Sequence, residues 1–235
     1  MNTQDLLGRI EPLLSRVNKP IQYVGGEYNS IVKEWQDVDV RWVLMYPDAY
    51  EVGQPNQGVA ILYEVLNERD WILAERTYSV WPDMEKQMRA AGIPQFTLDG
   101  HRPVRDFDIM SVSLSTELGY TNMLNAIDLA GIPVRQADRT DTDPIVLIGG
   151  HAAFNPEPVA DFIDAAVLGD GEEACLEISE IIRDWKKEGC PGGREGLLVR
   201  LAATGGIYVP SFYDVEYLDD GTIGKVAPNR LEAPY

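Results

Sequence analysis

The chain has 235 residues and a formal net charge of −18, from 38 Asp plus Glu against 20 Lys plus Arg. That length suits one large domain, or one domain with appendages, and buries a substantial core, while the charge repels nucleic-acid backbones and anionic lipid surfaces, so no nucleic-acid partner is expected. No run of about eighteen apolar residues occurs, so no membrane partner is expected either, and the N-terminus lacks the basic region and apolar core of a signal peptide, which favours the cytoplasm.

Residues 3–17 carry Leu6, Ile10, Leu13, Leu14 and Val17 on one helical face, with Asn2 or Thr3 available as N-cap. Lys19-Pro20 ends this helix, and Ile21 to Val32 reads as an extended arm punctuated by Gly25-Gly26. A strand-helix rhythm then begins near Asp39. The first strand is expected over Val40 to Met45 and its helix over Gly58 to Glu68, and the second pair over Trp71 to Tyr78 and Asp83 to Ala91, closed by Gly92 and Pro94.

The third strand is expected over Asp108 to Leu114, after a polar loop in which His101 has no chemical task, and its helix over Leu118 to Ala130. Strand four is Ile145 to Ile148, strand five Ala165 to Leu168, and the following helix Glu172 to Glu188. A Gly-rich break and a short helix, Leu197 to Ala203, lead to a hairpin signalled by Asp219-Asp220-Gly221. Five apolar strands alternating with helices predict an α/β fold: a five-stranded parallel, doubly wound sheet with an N-terminal helix and a C-terminal hairpin extension. Residues 1–38 form the helix and arm, 39–190 the α/β domain, and 191–235 an extension that reads as a linker cut short.

Two cysteines and two histidines occur. Cys175 falls on an apolar helical stripe and is expected in the core, while Cys190 sits in a Gly/Pro turn, so neither a disulfide framework nor a zinc site is indicated. His151, just past Gly149-Gly150, is placed either to contact a ligand or to serve as a surface or helix-capping histidine. Glu172 and Glu173 open a helix, where acids suit the positive dipole end; beside them, Gly169-x-Gly171 could cradle a phosphate only against their charge.

The long loop after the first strand, Tyr46 to Gly58, reads alone as a turn rich in turn-formers. Ligands of such sheets nevertheless sit beyond the carboxyl ends of the strands, and three strand ends line up here: Asp48 to Gly53, Ser111 to Ser115, and Gly149-Gly150. The set resembles the cobalamin-binding domain, flavodoxin-like in fold, whose pattern is Asp-x-His-x-x-Gly, a Ser-x-Leu region and Gly-Gly. The match is Asp48-x-Tyr50-x-x-Gly53, departing at the histidine. Gly149 to Glu157 and Gly169 to Glu173 are similar, more specifically, to the N-terminal domain of cobalamin-binding radical S-adenosylmethionine proteins. The closest likeness is to an uncharacterised bacterial subfamily with a similar helix, a Gly-Glu-Tyr arm and a Pro-Asp-x-Tyr-Glu-Val-Gly loop.

The resemblance implies a cobalamin site at Asp48, Tyr50, Gly53, Ser113, Ser115, Gly149, Gly150 and His151. Glycines let a broad, flat corrin approach the backbone, and Ser113 or Ser115 could hydrogen-bond its nucleotide tail. Tyr50 stands where the family has the cobalt-ligating histidine; a phenol with an ordinary pKa of about 10 is a poor ligand at neutral pH, so cobalamin is expected without histidine ligation there. The lower face would then be unligated, water-ligated or covered by the Tyr50 ring. The resemblance also implies a downstream radical S-adenosylmethionine domain as partner, holding S-adenosylmethionine and a 4Fe-4S cluster on a three-cysteine loop that this chain lacks. The segment is expected to have no turnover alone. A scaffold or interaction module that binds no corrin is the second reading. A flavin- or nucleotide-binding domain ranks last, because Asp48 and Glu51 put negative charge where a phosphate loop would lie.

Overall fold

The computed structural model describes residues 3–233, the side chains of residues 3–5 excepted. Asn2, one of the two expected helix caps, lies outside them, as do Pro234 and Tyr235 of the terminal linker. Strands β1 (Val40–Tyr46), β2 (Ile72–Tyr78), β3 (Ile109–Ser113), β4 (Ile145–Gly149), β5 (Ala165–Val167) and β6 (Ile207–Tyr208) form one sheet in the order β2-β1-β3-β4-β5-β6. The first five run parallel, in the flavodoxin-like order expected when right-handed crossovers place helices on both faces. The expectation of five strands is corrected by β6, which pairs antiparallel with β5 through Ala166 and Val167. Two residues are too short to give a periodic signal. Their register is held by the Gly206 carbonyl, which accepts from Leu168 N–H at 2.7 Å.

On one face, Trp42 and Leu44 of β1 pack with α3 (Gln57–Asn67), α6 (Gly171–Lys187) and α7 (Gly193–Ala202); on the other, Val43 and Met45 pack with α5 (Tyr120–Leu129). Alternate residues of one buried strand thus serve two cores, which is why the strand reads as a continuous apolar run. Polar groups in these cores are satisfied locally. The Trp42 indole N–H donates to Ser179 Oγ at 2.9 Å, and the Asn67 carboxamide both donates to and accepts from the Ala74 backbone, tying α3 to β2.

Asn56 caps α3 by accepting from Val59 N–H at 3.0 Å. Helix α4 (Pro82–Ala91) starts on proline and ends on Gly92 at φ 62°, the left-handed conformation a glycine adopts without a Cβ penalty. Its buried Met84 and Met88 meet Leu6, Ile10 and Leu13 of α1 (Thr3–Leu14), so the N-terminal helix packs on the α/β unit. Helix α2 (Tyr50–Gly53) is a single turn in the loop after β1. Strands β7 (Tyr213–Tyr217) and β8 (Ile223–Pro228) form the expected hairpin.

Several boundaries move. Helix α1 stops at Leu14 rather than residue 17, although Val17 still packs against the same cluster. Helix α5 starts at Tyr120 because Glu117–Gly119 winds as a tighter 3-10 turn that leaves Leu118 exposed. Helix α7 begins four residues earlier than the apolar run, where Arg194 N–H donates to Asp141 Oδ1 at 2.7 Å and the Arg194 guanidinium is buried against Asp164. His101, for which no chemical task is expected, is buried, stacks on Phe96, and has its Nε2 3.1 Å from the Tyr23 carbonyl, fastening the N-terminal arm.

The edge strand β2 is buried along its whole length despite Glu75, Arg76 and Thr77 at its centre. The segment after α4 covers it: Leu98 N–H donates to the Arg76 carbonyl at 2.8 Å, Asp99 pairs with Arg76 at 2.7 Å, and Arg102 pairs with Glu75. From the other side, Lys33 of the arm donates to the carbonyls of Asn67, Arg69 and Ile72. An otherwise open strand edge is thereby closed to pairing with another chain.

Candidate functional site

The carboxyl ends of β3, β4 and β5 open into a cavity of about 620 Å³ on the α3/α6 face. Leu62, Leu147, Val167 and Cys175 give it an apolar floor, and Ser111, Ser113 and Ser115 a row of hydroxyls along β3 and the turn beyond. Neither Ser111 nor Ser113 makes a side-chain hydrogen bond to a described residue, and Ser115 Oγ accepts only a long 3.4 Å contact from Tyr46. Burial pushes the Cys175 thiol up to about 12, so it contributes to the wall as a small apolar group.

The cavity runs beneath the first turns of α3 and α6, where Asn56, Gly58, Gly169 and Gly171 line it. The first turn of a helix carries backbone N–H groups that have no partner inside the helix. Asp170 and Glu172 stand beside them, so the mouth combines two positive helix ends with two carboxylates. His151 and Phe154 are exposed at the rim, in the 3-10 turn that follows Gly150.

The expected site residues fall into two groups. Ser113, Ser115, Gly149, Gly150 and His151 all line this cavity. Asp48, Tyr50 and Gly53 do not. Asp48 accepts from Ala49 N–H at 2.7 Å and lies beside a second cavity on the opposite face. Tyr50 turns toward the sheet edge, packs edge-on against Tyr78 with centroids 5.7 Å apart, and donates its hydroxyl to Glu27 of the arm. Burial first, then the Glu27 hydrogen bond and charge, push this phenol up to about 12. Gln54 closes the circuit, accepting from Tyr78 at 2.6 Å and donating to Glu27 at 3.3 Å.

The glycines divide the same way. A Cβ on Gly53 would sit 2.3 Å from Tyr78 Cδ1, so this glycine is required by internal packing. A Cβ on Gly149 meets nothing within 4 Å and would project into open space. Gly150, at φ 95°, brings its backbone against Leu114, where a Cβ would lie 2.7 Å from the carbonyl oxygen. Sequence reasoning missed Glu27 and Gln54 as partners of Tyr50, and missed Cys175, Leu62 and Gly58 as cavity walls. The Gly26-Glu27-Tyr28 arm and the Tyr50 loop occur together in the sequence, and that pairing was the available signal.

Among the described residues no three His, Cys, Asp or Glu side chains are grouped to hold a metal ion, and no helix is long and apolar enough to cross a membrane. No curated protein and no solved structure matches the chain. A family model described as radical SAM proteins, N-terminal, matches residues 58–210, well over half of the sequence and the stretch from the first turn of α3 through β6. The chain therefore belongs to the family of N-terminal domains of radical S-adenosylmethionine proteins.

Proposed function

We propose that this domain is the cobalamin-holding accessory part of a radical S-adenosylmethionine protein, with the nucleotide tail in the α3/α6 cavity and the corrin over the strand ends. The carrying observation is the cavity of about 620 Å³, which opens at the carboxyl ends of β3 to β5 with an apolar floor, unpartnered Ser111 and Ser113 hydroxyls and open space at Gly149. An apolar slot with a few free hydroxyls fits a flat aromatic base on a polar tether. Bound cobalamin would supply a redox-active cobalt centre. This chain's residues would bind and orient it: Leu62, Leu147 and Val167 would cover the base and exclude water, the serines would hydrogen-bond the tail, and the open space at Gly149 would admit its tether.

No imidazole is offered from the loop after β1, since Tyr50 stands at the motif position and is tied to Glu27. A downstream radical domain of the same protein, with its S-adenosylmethionine and 4Fe-4S cluster, would face the strand ends; two cysteines cannot supply the three thiolates of that cluster. A second reading, a pocket retained only as scaffold, is favoured by Asp170 and Glu172, whose carboxylates oppose a tail phosphate.

Incubation with hydroxocobalamin followed by gel filtration separates them. Corrin absorbance should elute with the protein, cobinamide, which lacks the tail, should be retained far less, and the reduced cobalt form should show no nitrogen splitting in its electron spin resonance. A chain folded by circular dichroism that retains no corrin would sink the binding claim and leave the scaffold.

A further inference from the structure

The hairpin β7-β8 turns an apolar face to solvent. Its two strands pair with each other and with no strand of the main sheet. Val215 lies opposite Val226 and Tyr217 opposite Ile223, so one face is apolar, while the other carries Asp214 and the Glu216–Lys225 pair at 3.8 Å. Ile223 and Val226 are three residues apart and would fall on opposite faces of a regular strand. A bulge prevents this: Glu216 pairs with Lys225 and Tyr217 with Ile223, which leaves Gly224 as the extra residue and turns both apolar side chains the same way. Tyr217 is nevertheless 59% exposed, Ile223 43% and Val226 45%.

The base of the hairpin is fixed. Phe212 is fully buried, the Arg230 guanidinium lies 3.9 Å from its ring centroid and pairs with Glu195 of α7, and Asn229 N–H donates to the Phe212 carbonyl at 2.9 Å. Tyr213, the first residue of the apolar face, meets Tyr208 of β6 with ring centroids 4.9 Å apart. The face therefore starts at the core and runs outward along a ribbon anchored at both ends. A two-stranded ribbon standing alone in water is marginally stable at best, so its outer half gains from a cover.

Size and charge select what covers it. A two-stranded face five residues long spans roughly 200 Å², against about 800 Å² that each partner gives to a stable free complex. A second copy or an untethered protein is not held by so little. A domain of the same protein is, because its effective concentration is on the order of millimolar. Residues 213–222 hold Asp214, Glu216, Asp219 and Asp220 and no Lys or Arg, and the whole chain carries −18, which repels a second copy and an acidic lipid surface alike. The hairpin also follows directly on the matched segment, which ends at residue 210, on the side of the chain that leads to the radical domain.

We propose that the apolar face of this hairpin docks the radical domain of the same protein, which meets it with an apolar strip bordered by Lys or Arg. The inference rests on family membership and not on corrin binding: hydroxocobalamin retention is measured on this chain without the radical domain, so either claim can fail while the other stands.

Hydrogen-deuterium exchange read by mass spectrometry compares residues 213–228 in this chain and in the protein with its radical domain attached. The hairpin amides should exchange about tenfold or more slowly with the domain attached. Tyr217→Ser combined with Val226→Ser, both at exposed positions, should abolish that difference. Glu216→Ser combined with Lys225→Ser, which loosens the ribbon from its polar face, should preserve it. Equal exchange in the two proteins, protection that survives the apolar-face pair, or protection lost equally with the polar-face pair overturns the proposal. Protection that appears in this chain alone and rises with its concentration would give the face to a second copy and overturn it as well.

Discussion

Alanine substitutions at Gly53 and Gly149 should have opposite effects, although both glycines belong to the same motif set. At Gly53 the new methyl would lie 2.3 and 2.6 Å from Cδ1 and Cε1 of Tyr78 and 3.1 Å from Tyr46 Cβ. Tyr78 cannot move aside freely, being 5% exposed and held through its hydroxyl by Gln54. Overpacking of this kind costs about 1–3 kcal/mol, which at a urea slope of about 2 kcal/mol/M lowers the unfolding midpoint by roughly 0.5–1.5 M. At Gly149 the methyl meets nothing within 4 Å, and a strand glycine replaced by alanine without strain changes stability by about 0 to +1 kcal/mol. It does narrow the α3/α6 cavity, so cobalamin affinity should fall about tenfold, worth about 1.4 kcal/mol. Urea unfolding by circular dichroism and corrin titration of the same two proteins read both quantities. A Gly149→Ala protein that loses more than about 1 kcal/mol, or that binds corrin like the parent, refutes the division of the glycines.

Asp164 is fully buried between Arg139 at 2.7 Å and Arg194 at 2.6 Å, so Asp164→Asn strands two guanidinium groups and should cost about 3–5 kcal/mol in urea unfolding; a loss under about 1 kcal/mol would rank the cluster with surface pairs. Tyr23, Tyr50 and Tyr63 are all pushed up to about 12, burial being the first cause, so a spectrophotometric titration should show late tyrosine ionisation. Because the folded state holds these protons more tightly, their contribution to stability is complete below about pH 10 and is lost as pH rises from there through about 12. A thiol reagent should label exposed Cys190 promptly and Cys175 only on unfolding, since burial holds the Cys175 thiol near 12; equal rates by mass spectrometry would contradict its place in the wall.

The parallel sheet was legible because its strands are buried on both faces and leave unbroken apolar runs, as in Val43 to Met45 and Ile145 to Ile148. Helix ends with local chemistry, such as Gly92, were legible for the same reason: the cause sits within a few residues of the effect. What the sequence withheld depends on distant partners. Nothing near Glu75 or Arg76 announces that Arg102 and Asp99 will bury them, nothing near His101 announces the Tyr23 carbonyl, and β6 has too few residues for a period. Part of the candidate site shares this character. Ser113, Gly149 and Gly150 reach one cavity because adjacent strands carry them there, whereas the direction of Tyr50 is set by Glu27, twenty-three residues earlier in the chain.

Tyr50→His tests whether the arm or the strand end sets that direction. In the parent the phenol reaches Glu27 while its ring edge meets Tyr78, and Gln54 links the two. An imidazole is shorter and cannot keep both contacts, so the Glu27 carboxylate loses a charged hydrogen bond, worth about 1.5–3 kcal/mol when buried and less at this half-buried position. The side chain still departs toward β2 and the arm, away from the β3 and β4 ends where the tail cavity opens. Cobalamin bound to this variant should therefore show no nitrogen splitting from the new imidazole in its reduced form, with only the stability altered. Nitrogen splitting that appears in Tyr50→His and is absent from the parent would mean that the loop turns over the strand ends once its tie to Glu27 is cut, and that the arm, rather than the motif, keeps this residue from the metal.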